Sequence, residues 1–451
     1  DVDRRDGYFH IDPSKPGDLA DAMFAASDLV GEFEKPLYVR YDAAICAHGR
    51  SGQIGCSNCL DNCPVSAIAP AGDTVEINPL ICGGCGNCSS SCPTGAVSYA
   101  YPDRADIVTR AQKLIIAYTG AGGKNPVVLF HDGSHGAPLI SAMARFGRGL
   151  PVNVLPVSLY TATQLGHEVM AGILASGAEH VVVLAPNSRR DELAAVRSEV
   201  DLTNAVLSAL GTSEPRTHLL VEDDPDKIEE ALYGLEALTD VAPSVFTPSP
   251  QKRETARLAF AGLHENAAEA PDVIALPENA PYGRININTD GCTLCLACVS
   301  CCPANALADN PDRPQVAFTE SVCVQCGLCR KTCPENVITL EARYNFSPAA
   351  LSPEILNGEE PFNCIECGNP FGTKSSVEHV MAALSGKHAM FQSSDQARII
   401  QMCDDCRVIA MNTAENPMAM GERPRVVTTE DYIKAEADAK ATGKKPEDFL
   451  G

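Results

Sequence analysis

The chain has 451 residues, 45% of them hydrophobic, enough for ordinary globular cores and a prior of about three domains. Its formal net charge of −23 disfavours nucleic acid and anionic lipid as partners, and no apolar run is long enough for insertion into a membrane. Cysteine occurs 21 times; in a chain this large that fits metal-binding clusters better than a disulfide framework, and clusters need thiolates and so a reducing, cytoplasmic compartment.

Residues 1–36 read as a polar N-terminal arm. Within it, residues 18–30 are patterned as an amphipathic helix with Leu19, Met23, Phe24, Ala26 and Leu29 on one side.

Residues 37–101 form a first cysteine-rich module. Cys82, Cys85, Cys88 and Cys92-Pro93 follow the spacing Cys-x2-Cys-x2-Cys-x3-Cys-Pro, which is the ligand run of a bacterial two-cluster ferredoxin. Three thiolates of one tight loop hold three irons of a cubane cluster. The fourth, carried away by its proline, ligates the other cluster. Cys46, Cys56, Cys59 and Cys63-Pro64 repeat the run with nine residues, 47–55, between the first two cysteines; this insert must be a loop. Crossed ligation assigns one [4Fe-4S] cluster to Cys46, Cys56, Cys59 and Cys92, and a second to Cys82, Cys85, Cys88 and Cys63. His48 is the alternative to Cys46, because imidazole also binds iron. Short β-like runs precede the triplets at 37–41, 74–77, 284–287 and 315–318. A helix start is expected after each Cys-Pro, at 65–68, 94–97, 304–307 and 335–338, since proline suits the first helical turn.

Residues 102–275 hold no cysteine and mark a different domain. Buried strands are expected at 127–130, 152–156, 180–184 and 217–221. Helices are expected at 137–148, 163–176, 189–210 and 226–235. The alternation argues for a small parallel, doubly wound α/β sheet. The loop His131-Asp132-Gly133-Ser134-His135-Gly136 at its crevice lacks Gly-x-Gly-x-x-Gly, which speaks against a nucleotide. The two histidines read as loop polar groups.

Residues 276–345 form a second ferredoxin module with both runs regular. One [4Fe-4S] cluster is assigned to Cys292, Cys295, Cys298 and Cys333, and a fourth to Cys323, Cys326, Cys329 and Cys302. Cys301 is a bystander, since the ligand set is complete without it. A zinc reading of these eight cysteines is weaker, because zinc sites come as pairs rather than triplets. Residues 346–415 carry Cys364, Cys367, Cys403 and Cys406. Two Cys-x2-Cys pairs fit a zinc-ribbon-like lobe holding one Zn2+, preferred over a rubredoxin-type iron or a further cluster. Residues 416–451 read as a helix-prone C-terminal extension.

The run Ala171-Gly172-Ile173-Leu174-Ala175-Ser176-Gly177-Ala178-Glu179-His180-Val181-Val182-Val183-Leu184, with Ser188-Arg189-Arg190 after it, resembles the iron-sulfur delta subunit of methyl-viologen-reducing hydrogenases. The resemblance implies a domain that docks an electron-transfer partner. This sequence departs from that family's cluster ligands: His131 and Asp132 stand where a cysteine is expected, as does Pro186. The whole layout is similar to large iron-sulfur proteins associated with bacterial formate dehydrogenases. The expected fold is therefore multidomain, α+β with α/β: two 2[4Fe-4S] modules flanking a small parallel sheet, then the four-cysteine lobe. The expected function is electron transfer by a polyferredoxin serving a formate dehydrogenase or hydrogenase-type complex, without a catalytic site of its own. The alternative is an assembly, scaffold or redox-sensing protein with structural clusters.

Overall fold

A computed structural model describes residues 9, 11–12, 14–32, 34–237, 242–267, 269–413 and 426–450, so parts of the N-terminal arm and of the C-terminal extension lie outside the described residues. It divides into two compact units, one holding most of residues 1–358 and one holding residues 359–451 with the short segments Thr293–Cys295 and Asp312–Pro314.

The larger unit begins with α1 (Pro16–Ser27), where Pro16 at the first position pre-sets the helical φ. Leu19, Met23 and Phe24 of this helix and Leu29 after it are exposed. The first cysteine-rich module follows: β1 (Val39–Tyr41), β2 (Gly49–Arg50), β3 (Gln53–Ile54), α2 (Asn58–Asp61), β4 (Ile68–Ala71), β5 (Thr74–Ile77), α3 (Asn87–Ser91) and β6 (Val97–Tyr99). Its first and last strands pair antiparallel, β1 with β6, and β4 pairs with β5. The insert at 47–55, expected as a loop, is a hairpin of β2 and β3. Ser51 (φ 52°) and Gly52 (φ 77°) make its two-residue turn, with both central residues left-handed as a type I′ turn requires.

The middle of the unit contains α4 (Arg104–Gly120), β7 (Val127–Asp132), α5 (Gly136–Phe146), β8 (Val154–Leu159), α6 (His167–Ala175), β9 (His180–Ala185), α7 (Ala194–Ala209), β10 (Thr217–Val221), α8 (Pro225–Tyr233) and α9 (Lys252–Glu265). Its four strands form one parallel sheet in the order β10-β9-β7-β8. Alternate residues of β7 and β9 feed two cores. Val128, Phe130, Val181 and Val183 join the larger one, with residues of α4, α6, α7 and α9. Val127, Leu129, Val182 and Leu184 join the smaller one, with Met143 of α5 and Ile228 and Leu232 of α8. Helices thus cover both faces, which is why β7 and β9 are buried along their whole length.

The second cysteine-rich module comprises β11 (Val273–Ala275), β12 (Gly283–Ile287), α10 (Ala297–Ser300), β13 (Leu307–Asp309), β14 (Gln315–Phe318), α11 (Leu328–Thr332), β15 (Ile338–Asn345) and β16 (Glu354–Gly358). β15 lies between β11 and β12, and β14 between β13 and β16. Two of these pairings cross the expected boundaries: β11 comes from the end of the 102–275 stretch and β16 from beyond residue 345.

The helix starts expected after each Cys-Pro are absent. Each module half instead has its short helix before Cys-Pro, in α2, α3, α10 and α11. Three residues after the cysteine comes a left-handed residue: Ser66 (φ 52°), Gly95 (φ 78°), Asn305 (φ 52°) or Asn336 (φ 55°). That residue reverses the chain into a strand, β4, β6, β13 or β15, so the proline begins a turn and not a helix.

The smaller unit contains β17 (Pro361–Asn363), β18 (Pro370–Thr373), α12 (Lys374–Leu384), α13 (Ser394–Ala397), α14 (Asp404–Asn412) and α15 (Thr429–Thr442). β17 and β18 form an antiparallel hairpin. Among the described residues no helix is long and apolar enough to cross a membrane.

Candidate metal centres

In the first module a small cavity is lined by Cys46, Cys56, Cys59 and Cys92, with Ala47 and His48 beside them. Cys92 comes from the second run and the other three from the first, so the crossed set expected from the spacing converges here. His48 Nδ1–H donates to the Cys56 carbonyl at 2.9 Å. Burial pushes the Cys56 and Cys59 thiols up to about 12, with the neighbouring cysteines adding to it. The pocket therefore does not by itself stabilise four bare thiolates, and their charge needs a bound cation. Four convergent sulfurs in an apolar, buried hollow suit an iron-sulfur core.

Of the other set of this module, Cys88 is buried and Cys63, Cys82 and Cys85 are half-buried. Burial raises the Cys88 thiol well above its ordinary value, with Cys85, Cys82, Cys59 and Cys63 adding to it. The left-handed glycines Gly84 and Gly86 flank Cys85 and curl the loop around it. A Cβ on Gly86 would stand 2.6 Å from Gln164 Cβ, so the position needs glycine for space as well as for φ. Tyr99 Oη–H donates to the Gly84 carbonyl at 2.6 Å, and the Thr163 hydroxyl donates to the Cys85 carbonyl at 2.5 Å. The sheet domain thus holds this loop directly.

In the second module a small cavity is lined by Cys302, Cys323, Cys326 and Cys329, again one cysteine from one run and three from the other, and Leu328. Gln325 (φ 54°) and Gly327 (φ 76°) flank Cys326 as the two glycines flank Cys85. Leu294 (φ 50°) and Leu296 (φ 60°) flank Cys295 in the same way, although leucine pays about 1–2 kcal/mol for that backbone. Cys292, Cys298 and Cys333 are half-buried. Cys295 is exposed and groups with the smaller unit. Cys301 is buried and its thiol donates to the Cys298 carbonyl at 3.4 Å. It does not line the neighbouring cavity, whereas Cys302 does.

The turn after Cys-Pro aims backbone N–H groups at the fourth sulfur of a run. Ala67 N–H donates to Cys63 Sγ at 3.2 Å, Val97 N–H to Cys92 Sγ at 3.5 Å and Ala306 N–H to Cys302 Sγ at 3.3 Å. Such donors stabilise negative charge on sulfur.

Two cations missed by reading the sequence brace these sites. Lys252, fully buried, donates from Nζ to the Ser89 and Ser90 carbonyls of α3 and lies 3.6 Å from Glu168. Arg253 donates to the Ser321 and Cys323 carbonyls, both at 2.9 Å, and its guanidinium sits 4.6 Å from the Tyr282 ring centre. Glu168 also pairs with Arg104 at 3.4 Å, and His167 lies between Glu199 (2.5 Å) and the Tyr282 hydroxyl (2.6 Å). With two cations on Glu168 and both His167 nitrogens engaged, this His-Glu-Glu group forms a buried ion network.

In the smaller unit the ligand atoms of Cys364, Cys367, Cys403 and Cys406 lie within 4.8 Å of one another. Cys364 and Cys367 sit between β17 and β18, where Gly368 (φ 76°) turns the chain. Cys403 caps α14 and Cys406 lies in its first turn, where Asp404 and Asp405 complement the helix dipole. The second pair is therefore on a helix, whereas a ribbon would carry it on a second hairpin. Desolvation works to raise the Cys364 thiol, but N–H donors from Cys367, Cys403 and Glu366 outweigh it and bring it to about 6. The set suits a cation held by four thiolates.

At the carboxyl end of β7 the loop is tied by its own side chains. Asp132 Oδ1 accepts from the N–H groups of Ser134, His135 and Gly136 at the start of α5. His135 Nε2 meets Asp223 Oδ1 at 3.0 Å, and Asp223 also accepts from Asn187 N–H.

Comparison with known families matches residues 54–96 to a 4Fe-4S dicluster domain and residues 316–339 to a 4Fe-4S binding domain. The first span takes in every cysteine of its module except Cys46, and the second takes in Cys323, Cys326, Cys329 and Cys333. No curated protein matches the chain. Both cysteine-rich modules thus carry ferredoxin-type 4Fe-4S domains, and the chain is an iron-sulfur protein.

Proposed function

We propose that the chain is an electron-transfer protein carrying four [4Fe-4S] clusters and one structural Zn2+, and that it passes electrons to or from a cytoplasmic oxidoreductase of the formate dehydrogenase or hydrogenase type. The observation that best supports this is the crossing of runs within each module. Cys92 joins Cys46, Cys56 and Cys59 at one cavity, and Cys302 joins Cys323, Cys326 and Cys329 at the other. Cys46 is the fourth ligand of the first set, since it lines the cavity and thiolate is the ordinary ligand of this cluster type. A cubane held by four cysteines has no open coordination position; when bound it supplies one-electron storage and no substrate chemistry. The residues around it set how readily that electron is held. Backbone N–H groups point at Cys63, Cys92 and Cys302, while Lys252 and Arg253 bring positive charge to the loops. Cys364, Cys367, Cys403 and Cys406 form a closed thiolate set with no position for a reacting ligand, so the zinc is structural. The partner rests on the likeness of residues 171–184 to a hydrogenase delta subunit.

The test is anaerobic purification of the full chain from its native cells. About sixteen iron atoms and as many sulfides per chain are expected, with one zinc and a co-purifying oxidoreductase that reduces or reoxidises the bound iron during turnover. A colourless protein without sulfide overturns the reading. Iron that stays in one redox state while the partner turns over favours the scaffold alternative.

A further inference from the structure

The first ferredoxin run differs from its sister runs in one respect: nine residues separate Cys46 from Cys56 where two separate Cys82 from Cys85 and Cys323 from Cys326. Those residues do not trail into solvent. They fold as the β2–β3 hairpin, closed at its base by Gly55 N–H donating to the His48 carbonyl at 2.7 Å. The hairpin lies against α11 of the second module. Lys331 Nζ donates to the Ile54 carbonyl at 2.6 Å. A Cβ on Gly55 would stand 2.7 Å from Leu328 Cγ and 2.9 Å from both Leu328 Cδ1 and the Ala47 carbonyl oxygen. Leu328 is fully buried.

These contacts have a consequence for the two cysteine-lined cavities. Ala47 and Cys56 line the first, and Leu328 and Cys326 line the second. Gly55 touches both walls. The hollows of different modules are therefore separated at this point by little more than Ala47, a bare glycine and one leucine side chain. Electron exchange weakens steeply with the thickness of intervening matter, so the thinnest wall is the natural route.

We propose that the 47–55 hairpin is the coupling element between the modules: it seats Gly55 on Leu328, holds the Cys46/Cys56/Cys59/Cys92 site against the Cys302/Cys323/Cys326/Cys329 site, and makes this the crossing point for one-electron exchange between them. The proposal rests on the electron-transfer reading above and adds the path. The exchange moves one electron and makes or breaks no bond; one site is oxidised by the unit by which the other is reduced. The first electron comes from a low-potential one-electron reductant, which is dithionite in the test. Gly55, Leu328 and Lys331 are positioning residues, since none carries a ligand atom for iron.

The experiment uses the full chain, prepared anaerobically, with the two outer sites emptied by Cys82→Ala with Cys85→Ala and Cys292→Ala with Cys298→Ala. After reduction with dithionite, the EPR spectrum of the two remaining sites is expected to show splitting from spin–spin interaction. Adding Gly55→Leu should abolish or sharply narrow that splitting at unchanged iron content. Lys331→Met, which removes only the bond to the Ile54 carbonyl, should narrow it less. Uncoupled spectra before any hairpin change overturn the proposal, as does splitting that survives both variants undiminished. If the outer-site variants fail to fold, the same comparison is made on the otherwise unaltered chain. There the expected loss is in the rate at which an electron introduced by a light pulse spreads between modules, and an unchanged rate in both hairpin variants overturns the proposal. Absence of iron from the starting protein is a different result and sinks the electron-transfer reading itself.

Discussion

Lys252 and Arg253 are consecutive in sequence yet serve different modules. The first donates to the Ser89 and Ser90 carbonyls in the helix that carries Cys88, and the second donates to the carbonyl of Cys323. The start of α9 is thus a two-residue clamp, with its ammonium on one ferredoxin and its guanidinium on the other.

Lys252→Met keeps the stem and removes the charge. It leaves the buried Glu168 with Arg104 alone and strips two carbonyls of their donor, which should destabilise the larger unit by about 3–5 kcal/mol. Denaturant unfolding of the iron-loaded chain measures it. In protein that still folds, the midpoint potential of the first module should fall, because a buried cation that favours the reduced state is gone.

Gly86→Ala adds a methyl where φ is 81° and Gln164 is 2.6 Å away, so it should cost about 1–3 kcal/mol and lower the iron bound at the Cys63/Cys82/Cys85/Cys88 site. Leu296 holds the corresponding place beside Cys295 with a left-handed backbone. There the change runs the other way, and Leu296→Gly should raise stability by roughly 0.5–1 kcal/mol. Iron analysis and thermal unfolding of the pair check both signs.

Adjacent cysteines should behave in opposite ways. Cys301→Ala removes a buried sulfur that lines no cysteine cavity, and should cost about 1 kcal/mol with full iron retained. Cys302→Ala removes a cavity-lining sulfur and should lose a cluster's iron. Equal iron loss in the two would reverse the assignment.

Cys406→Ser should release the metal of the smaller unit and leave the iron of both modules in place, since each site draws on its own cysteines. Zinc and iron measured on the same sample decide it. Loss of iron alone would make this an iron site.

The pair of buried His180 and half-buried His218 gives the sheet a pH dependence. Burial, with His180 beside it, lowers His218 to about 4, so the folded state binds its proton more weakly than the unfolded chain does. Its contribution to stability is fully present above the ordinary histidine value of about 6.5 and is lost as pH falls toward 4. The thermal unfolding midpoint should therefore fall as pH is lowered from 6.5 toward 4. His218→Phe should flatten that slope, and an unchanged slope would place its origin elsewhere.

Much of the scaffold was written plainly in the sequence. Strands Thr74–Ile77, Thr217–Val221 and Gln315–Phe318 fall where apolar and β-branched runs put them. α9 was missed, although Thr255, Ala256, Ala259, Phe260 and Leu263 recur at helical spacing; its charged composition disguised a helix that packs on α6. Nothing local marks Lys252 as buried, because its partners lie in α3 and α6. The turns after Cys-Pro depart from what proline alone predicts, because the residue three places after the cysteine decides the chain's direction. Gly95, Asn305 and Asn336 are residues that tolerate a left-handed backbone, and their recurrence three places after the cysteine was the signal. The hairpin in the insert was announced by Ser51-Gly52, but its docking on Leu328, some 270 positions on by the numbering, was beyond any local pattern.

Asp132 puts its own carboxylate on the N–H groups that the start of α5 would otherwise offer to a visiting anion. Being part of the same loop, it holds those N–H groups without an association step. The edge of the central sheet is thereby braced from within, and through Lys252 and Arg253 the same domain serves as a chassis for its two neighbours.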